Sequence, residues 1–499
     1  MHTVEAVAEG ELLSLDAAAE FLFVSKSTMY RLLDQGKLRG MKAGKQWRFR
    51  KEDLLAYLQR GPAALALANL PIAVLDTELD FFAGELEKAG TTIEASDDPT
   101  LEGEAGKIAQ LVRRMVWLLY TRRGSDLHLE PVWEAGEEYL LIRPRVDGAL
   151  IDLRRMPIAL HEPLILEWKR RAGLAIEERS RPQDGSAIFT FRQKRAPLRV
   201  SIVPTLYGEK LAIRTIPMNV PTLEMLGLDK TPLNDWIQHF PTGGLILFTG
   251  PTGSGKATSA AACLGQLVSS HSLNAFTVMD PVEYLFPRGV THLKVEQFTC
   301  ADGMRALMRQ DPDVIAVGEL NGDPELARLT MNAAETGHLV MTTMHTHDAI
   351  KPLYEFLEWN IRRSLLAANI IGIVNQRLLF KLCDACKAPQ EPAPEMLVEI
   401  RQGAEEGGYQ IPEEAVFYTS VGCEQCKGNG FAGRFALHEY FTFNQTLRAA
   451  FLRGMAMDEF TKLAREQGQI SSFAAGVQKA VEGITSLDEV LRKVSRWRT

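Results

Sequence analysis

The chain has 499 residues, 46% of them hydrophobic and 24% charged, with a formal net charge of −7. This length predicts about three domains. The composition is that of a folded globular protein rather than a disordered or collagenous one, and mild acidity by itself selects no partner. No run of roughly 18 apolar residues predicts a membrane-spanning helix. The start, MHTVEAVAEGELLSLD, is acidic and lacks the basic-then-apolar order of a secretory signal, so a cytoplasmic location is expected. Six cysteines in such a chain argue against a disulfide framework.

In chain order, residues 12–60 predict one small unit. Leu15 to Phe23 has helical apolar spacing, and a second helix starts at the N-cap residue Ser25 and closes at Gly36. Leu38 to Lys42 and Gln46 to Phe49 read as short strands around Gly44. Lys51 to Leu58 reads as a third helix. Residues 61–103, rich in Ala, Pro and acids, predict a linker with local helix over Glu78 to Ala89. Residues 104–220 predict an α+β domain, with a helix from Lys107 to Thr121 and a strand from Tyr139 to Arg145. A hairpin there joins Leu198–Pro204 to Lys210–Ile216. Over 235–380 strands and helices alternate, the pattern of a parallel α/β sheet. Residues 381–440 carry paired cysteines. Residues 441–499 predict helices, closing on the amphipathic Ser486 to Val494.

The sharpest signal is GPTGSGKATS, Gly250 to Ser259. It follows the apolar run Leu245-Ile246-Leu247-Phe248, a buried strand, and precedes an alanine-rich helix. Glycines here let backbone N–H groups turn toward a phosphate chain, Lys256 reaches the β- and γ-phosphates, and the helix N-terminus favours negative charge. The nucleotide-binding set is Gly250, Thr252, Gly253, Ser254, Gly255, Lys256 and Thr258. The usual loop follows its Lys with a Ser or Thr whose hydroxyl ligates Mg²⁺. Ala257 stands there, and Thr258 is turned away from that position by about 100° of helix. A second apolar run, Val314 to Val317, leads into Gly318-Glu319, a carboxylate at a strand tip where Mg²⁺ and the attacking water are held.

With RALMRQDPDVIAVGEL and AAETGHLVMTTMHTHDA, these blocks resemble the secretion ATPase family, the motors of type II secretion and type IV pilus assembly. GSDLHLEP (Gly124 to Pro131), RVDG (Arg145 to Gly148), RPQDG (Arg181 to Gly185), DPVEY (Asp280 to Tyr284), NQRL (Asn375 to Leu378) and ITSLDEVL (Ile484 to Leu491) extend the resemblance over about 105–495. It implies a RecA-like P-loop domain, ATP with Mg²⁺, a hexameric ring and a partner at the inner-membrane secretion platform. It places Asp280 and Glu283 in an Asp box near the attacking water. Glu319 becomes the Walker-B glutamate, and His338 and His345 fall in a His box that senses the γ-phosphate. Arg199 and Arg214 become arginines that reach nucleotide across a subunit interface. Taken alone, the histidines read as structural and the arginines as surface charges. The chain departs from the family at Ala257, at Met279 in place of the Asp-box glutamate, and at Leu320-Asn321-Gly322-Asp323, which lacks an arginine and carries an extra residue. These losses point to relaxed or repurposed hydrolysis.

Cys383-x-x-Cys386 and Cys423-x-x-Cys426 have the spacing of a closed tetrahedral Zn²⁺ site of structural type. Four free cysteines or a redox pair is the alternative reading. Cys263 and Cys300 have no partner at ligand spacing and read as core thiols.

The family starts with a different domain. Residues 12–60 instead resemble an excisionase or MerR-like winged helix-turn-helix. Lys26, Arg31, Lys37, Arg39, Lys42, Lys45, Arg48, Arg50 and Lys51 crowd a stretch whose one acid is Asp34, an electrostatic footprint for DNA. The resemblance aims Ser27, Thr28, Tyr30 and Arg31 at the major groove and Lys45 and Arg48 at phosphates. Reuse of the fold for protein docking is the alternative. The whole chain reads as a weakly hydrolysing ATPase motor with a DNA-binding head, against a rival reading as an ATP-sensing DNA-binding regulator.

Overall fold

The computed structural model describes residues 72–91 and 103–494, apart from positions 147, 192, 193, 239, 281, 287, 294, 296, 297 and 321. Before residue 72 it describes 12–15, 17, 18, 29, 30, 33, 38, 40–43, 46–50, 53 and 54. The chain divides into two compact units, Met1–Ile216 and Pro217–Thr499.

At the start of the first unit, β1 (Leu12–Ser14), β2 (Met41–Ala43) and β3 (Gln46–Arg50) form a 3-stranded sheet in the order β1-β3-β2. The β2–β3 wing matches the expected strand pair, while the pairing of β1 with β3 was not legible because three residues carry too little alternation. Ala18, Met29, Leu38, Phe49 and Leu54 form one buried cluster.

The expected linker contributes a packed element. Helix α1 (Ile72–Lys88) buries Leu75, Leu79, Phe82 and Leu86 in the same core as α2 (Gly103–Thr121). The i, i+4, i+7, i+11 spacing of these residues makes one apolar stripe. Arg154 donates two hydrogen bonds of 2.9 Å to the buried Glu78 carboxylate. Residues 72–88 are therefore more than a tether, and the Ala and acid content of 61–103 masked the stripe.

Next come β4 (Asp126–Glu134), β5 (Glu137–Val146), β6 (Ala149–Leu150), β7 (Arg154–Pro157), α3 (His161–Ala172), β8 (Gln183–Phe191), β9 (Lys194–Thr205) and β10 (Gly208–Thr215). They form an antiparallel sheet in the order β6-β5-β4-β10-β9-β8, with β7 on β5. Leu127, Leu129, Ile142, Leu198, Val200, Leu211 and Ile213 share one buried face. Alternation along each strand therefore sends Asp126, His128, Arg145, Arg199 and Arg214 to the other.

The second unit begins with α4 (Pro232–Ile237), followed by β11 (Gly244–Thr249), α5 (Lys256–Ser270), β12 (Ala275–Val278), β13 (Val290–His292) and α6 (Cys300–Leu307). Then come β14 (Val314–Glu319), α7 (Pro324–Glu335), β15 (Leu339–Met344), α8 (Lys351–Glu358), α9 (Arg363–Asn369) and β16 (Ile370–Leu382). The chain continues through β17 (Ala388–Gln390), α10 (Pro394–Glu406), β18 (Phe417–Thr419) and β19 (Phe431–Phe441). It ends in α11 (Gln445–Leu452), α12 (Met457–Glu466), α13 (Ser472–Val481) and α14 (Leu487–Lys493). The main sheet is 7-stranded, in the order β13-β12-β14-β15-β11-β16-β19. All its pairs are parallel except β16 with β19. Separate cores cover its two faces, which is why β11 is buried along its whole length. The fold is thus the expected α/β class: a RecA-like parallel sheet, a preceding α+β domain, a tetracysteine segment and an N-terminal helix-turn-helix.

Candidate active site

In an open parallel sheet, ligands sit beyond the carboxyl ends of the strands. Strand β11 ends there in the glycine loop. Gly250, Gly253 and Gly255 take φ of +136°, +75° and +89°, left-handed values that penalise any side chain. Gly250 has a second constraint, since a Cβ there would lie 2.3 Å from the Gln376 carbonyl oxygen.

Lys256 opens α5 and is 8% exposed. Its Nζ donates to the Gly250 carbonyl at 2.8 Å and the Pro251 carbonyl at 3.2 Å, and lies 3.4 Å from His345 Nδ1. Desolvation pushes its pKa down to about 8, against the attraction of Glu283. His345, just past β15, is held below its ordinary pKa by desolvation and then by the Lys256 charge. Its Nε2 contacts the Glu319 carboxylate at the tip of β14. A neutral ring with its proton on Nε2 donates to Glu319 and turns the Nδ1 lone pair to Lys256. One line of polar contacts thus joins the loop after β11 to the tips of β14 and β15. Both Glu319 and His345 have side chains 35% exposed, so the line opens to solvent.

Asp280 and Glu283 follow β12 and are exposed. Tyr284, beside them, meets Thr258 with its hydroxyl 2.8 Å from Thr258 Oγ1. The hydroxyl after Ala257 is therefore engaged by Tyr284. The carboxylates present suit a hard cation, but the donor set is one hydroxyl short.

His338 lies elsewhere. It precedes β15, with Nδ1 2.9 Å from the Ala333 carbonyl and 3.0 Å from Thr336 Oγ1. Its own carbonyl accepts from Gly244 N at the start of β11. A six-residue strand separates it from His345 by roughly 20 Å. Of the two histidines expected in one His box, only His345 stands beside Lys256 and Glu319, and His338 stands at the other end of β15. Strand direction, not composition, decides between them.

The sequence reading missed what the NQRL block does. Asn375 and Gln376 are 0% and 2% exposed. Gln376 Nε2 donates to the Ser254 carbonyl and its Oε1 accepts from Ser259 Oγ, both at 2.8 Å, so one amide fixes the loop and the helix after it. Asn375 Nδ2 donates to Thr249 Oγ1 at 2.8 Å and to the Thr346 carbonyl at 3.1 Å. Arg377 Nη2 donates to the His347 carbonyl at 2.7 Å. The available signal was three consecutive polar residues inside an apolar strand.

Arg199 and Arg214 stand directly opposite each other on β9 and β10. Arg214 Nε donates to Asp126 Oδ1 at 2.8 Å. The four cysteine sulfurs lie within 4.8 Å of one another, with pairs at 3.9 Å (Cys383–Cys423), 3.8 Å (Cys386–Cys426) and 3.7 Å (Cys423–Cys426). A tetrahedral ion with Zn–S bonds of about 2.3 Å sets its sulfurs about 3.8 Å apart, so the cluster fits zinc. The Cys423 N–H, 3.1 Å from Cys426 Sγ, and the Gly430 N–H outweigh desolvation and lower that thiol, favouring the thiolate a metal needs, while desolvation raises the neighbouring Cys386 thiol. In the helix-turn-helix, Tyr30 is 49% exposed, and Arg48 Nη1 donates to the Trp47 carbonyl at 3.2 Å. Ser27, Thr28, Arg31 and Lys45 lie outside the described residues.

A buried lysine in a glycine loop, with carboxylates at the tips of neighbouring parallel strands, defines a P-loop nucleotide-binding protein. The chain belongs to the type II/IV secretion system protein family, whose model matches residues 102–492. A helix-turn-helix domain model matches residues 12–62. The type IV pilus assembly ATPase PilB of Thermus thermophilus is 34% identical over 422 residues, 83% of this chain and 46% of that protein. The type II secretion system protein E of Aeromonas hydrophila is 33% identical over 449 residues, 89% of this chain and 85% of that protein. Among solved structures, the pilus retraction motor PilT with bound ADP superposes with a TM-score of 0.55 at 23% identity, covering 76% of this chain and 95% of that one. The Legionella pneumophila ATPase DotB gives 0.54 at 22%, covering 80% and 98%. These two establish likeness of fold. Among the described residues no helix is long and apolar enough to cross a membrane.

Proposed function

We propose that the chain is an ATP-binding, slowly hydrolysing motor subunit of type II secretion or type IV pilus assembly, working as a hexameric ring in the cytoplasm against an inner-membrane platform protein. The contact line Lys256–His345–Glu319 carries this reading, because it links the phosphate-binding lysine to the carboxylate that would orient the attacking water. The P-loop amides and Lys256 bind the phosphates. Asp280 and Glu283 order water beside them, and His345 answers the γ-phosphate. Arg199 and Arg214 contact nucleotide bound by a neighbouring copy. Mg²⁺, when bound, neutralises phosphate charge, and Asp280 and Glu319 are its nearest carboxylates in role. Ala257 lacks the hydroxyl that would ligate that ion, and Met279 lacks a carboxylate that would help orient the attacking water. The expected result is slow turnover that rises roughly tenfold on Ala257→Thr, a gain of about 1.4 kcal/mol at the barrier. It is checked by phosphate release, with Glu319→Gln as a binding-competent zero. Robust wild-type turnover that Ala257→Thr leaves unchanged would contradict the slow-motor reading. Absent turnover in both, with ATP still bound, selects the ATP-sensing regulator.

The helix-turn-helix head is proposed to bind duplex DNA, supported by its basic excess. A ring would multiply weak contacts through avidity. Full-length protein is expected to lose affinity steeply as salt rises, and Arg48→Ala with Arg50→Ala to weaken binding further. Fluorescence anisotropy with duplexes, including the region upstream of its own gene, measures both. Salt-insensitive or absent binding assigns the head to protein docking.

A further inference from the structure

We infer that Asp126 is the positioning residue for the candidate trans-acting arginines, and that Arg145 belongs with them to one anion-reading row. This rests on the proposal that Arg214 contacts nucleotide in a neighbouring copy.

The row follows from strand register. Arg145 pairs with Asp126, Asp126 with Arg214, Arg214 with Arg199, and Arg199 with Ser186. These residues cross neighbouring strands β5, β4, β10, β9 and β8 in a straight line, with neighbours about 4.8 Å apart. The alternate residues Leu127, Ile213, Val200 and Pro144 lie under the sheet, so the row lies on the face away from the core. Like charges directly opposite on adjacent strands repel, and Arg199 and Arg214 are such a pair. One carboxylate serves the row: Asp126 accepts from Arg214 Nε at 2.8 Å and from Ser125 Oγ at 2.8 Å, and lies 3.5 Å from Arg145 Nε. Three guanidinium groups against one carboxylate leave an excess of two positive charges.

The geometry of these contacts separates a reader from a structural ion pair. Asp126 takes the Nε of Arg214 and so leaves its two terminal nitrogens, the pair that grips a phosphate bidentately. They have no hydrogen-bond partner among the described residues, and the Arg214 side chain is 68% exposed while that of Asp126 is 10% exposed. A buried carboxylate thus holds the stem of an exposed arginine. Burial alone would raise the Asp126 carboxyl, but the hydrogen bonds from Arg214 and Ser125 outweigh it and hold it below its ordinary value. The anchor is therefore charged at neutral pH. Arg145 is held less tightly. Its Nη1 donates to the Gly148 carbonyl at 3.0 Å, which fixes it at the rim of the row.

The test compares ATP with ADP binding to full-length protein, using a fluorescent ATP analogue displaced by each nucleotide, because a trans arginine reads the γ-phosphate. Arg214→Ala is expected to lower the preference for ATP over ADP. Asp126→Asn, which keeps the shape and removes the charge, is expected to lower the preference in the same direction. Turnover should fall roughly ten- to a hundredfold, the cost of a misplaced catalytic group. Asp126→Glu should recover part of both. Mixing Asp126→Asn with Lys256→Ala protein should restore turnover, since intact rows then meet intact P-loops. An unfolded variant could not complement. If Arg214→Ala leaves ATP preference and turnover unchanged, the trans-arginine reading itself falls. If Arg214→Ala is defective and Asp126→Asn is not, or only melts earlier, Asp126 is a structural ion pair and the inference is overturned.

Discussion

Protein purified with its thiols reduced is expected to carry one zinc ion per chain, and Cys423→Ser to lose it. Apparent zinc binding at such sites contributes roughly 10–16 kcal/mol in small peptides, so its loss should unfold the segment around β17 and β18. The sulfur spacings already match a tetrahedral ion, and Cys423 is the sulfur closest to Cys426, at 3.7 Å. Metal analysis and thermal melting with and without a strong chelator check this. A metal-free preparation that melts at the same temperature as a zinc-supplemented one would refute it.

Lys256→Ala is expected to abolish ATP binding while leaving the fold intact. In the proposed role the lysine would provide charge-assisted hydrogen bonds to the phosphates. Losing two at about 1.5–3 kcal/mol each weakens affinity by roughly a hundredfold or more. Its removal does not endanger folding, and the sign follows from linkage. Desolvation depresses the folded pKa to about 8 from 10.5, so between those values the unfolded chain binds more protons and stability rises with pH. Below about 8 both states are protonated, and the buried charge is a standing cost that alanine removes. Phosphate reverses the balance by stabilising the ammonium. ATP binding near pH 9 should therefore take up a proton and weaken as pH rises. Calorimetry in two buffers of different ionisation heat measures the uptake, and a buffer-independent heat would count against it.

The strand–loop–helix around Gly250 was legible because its chemistry is local: an apolar run, glycines where the backbone must turn, then a lysine. The paired cysteines were legible for the same reason. What stayed hidden depends on direction and on distant pairing. His338 and His345 share one motif, yet the strand between them carries them to opposite ends of the sheet. Thr258 binds Tyr284 and Arg214 binds Asp126, pairs 26 and 88 residues apart in sequence. No spacing rule connects such residues. The helix Ile72–Lys88 was half read, its start lost in an alanine-rich stretch. Gln376 stands in a recognisable motif, but its grip on Ser254 and Ser259 depends on β16 lying beside β11.

The cysteine cluster stands at the base of an excursion. β16 ends at Leu382, immediately before Cys383, and β19 begins at Phe431, shortly after Cys426. At this point Cys383 N donates to the Gly430 carbonyl at 3.0 Å. β16 and β19 are thus the two arms of an antiparallel hairpin whose turn has been replaced by an excursion with the cysteine cluster at its base, Cys383 and Cys423 being 40 residues apart. An ion bound there would tie the two ends of the excursion together, so that part of the entropy of joining the distant strands would be met at the cysteines. The register so fixed aligns Asn375 and Gln376 with Glu439 and His438. A metal held by these cysteines would therefore steady, from outside the phosphate site, the strand that props the P-loop.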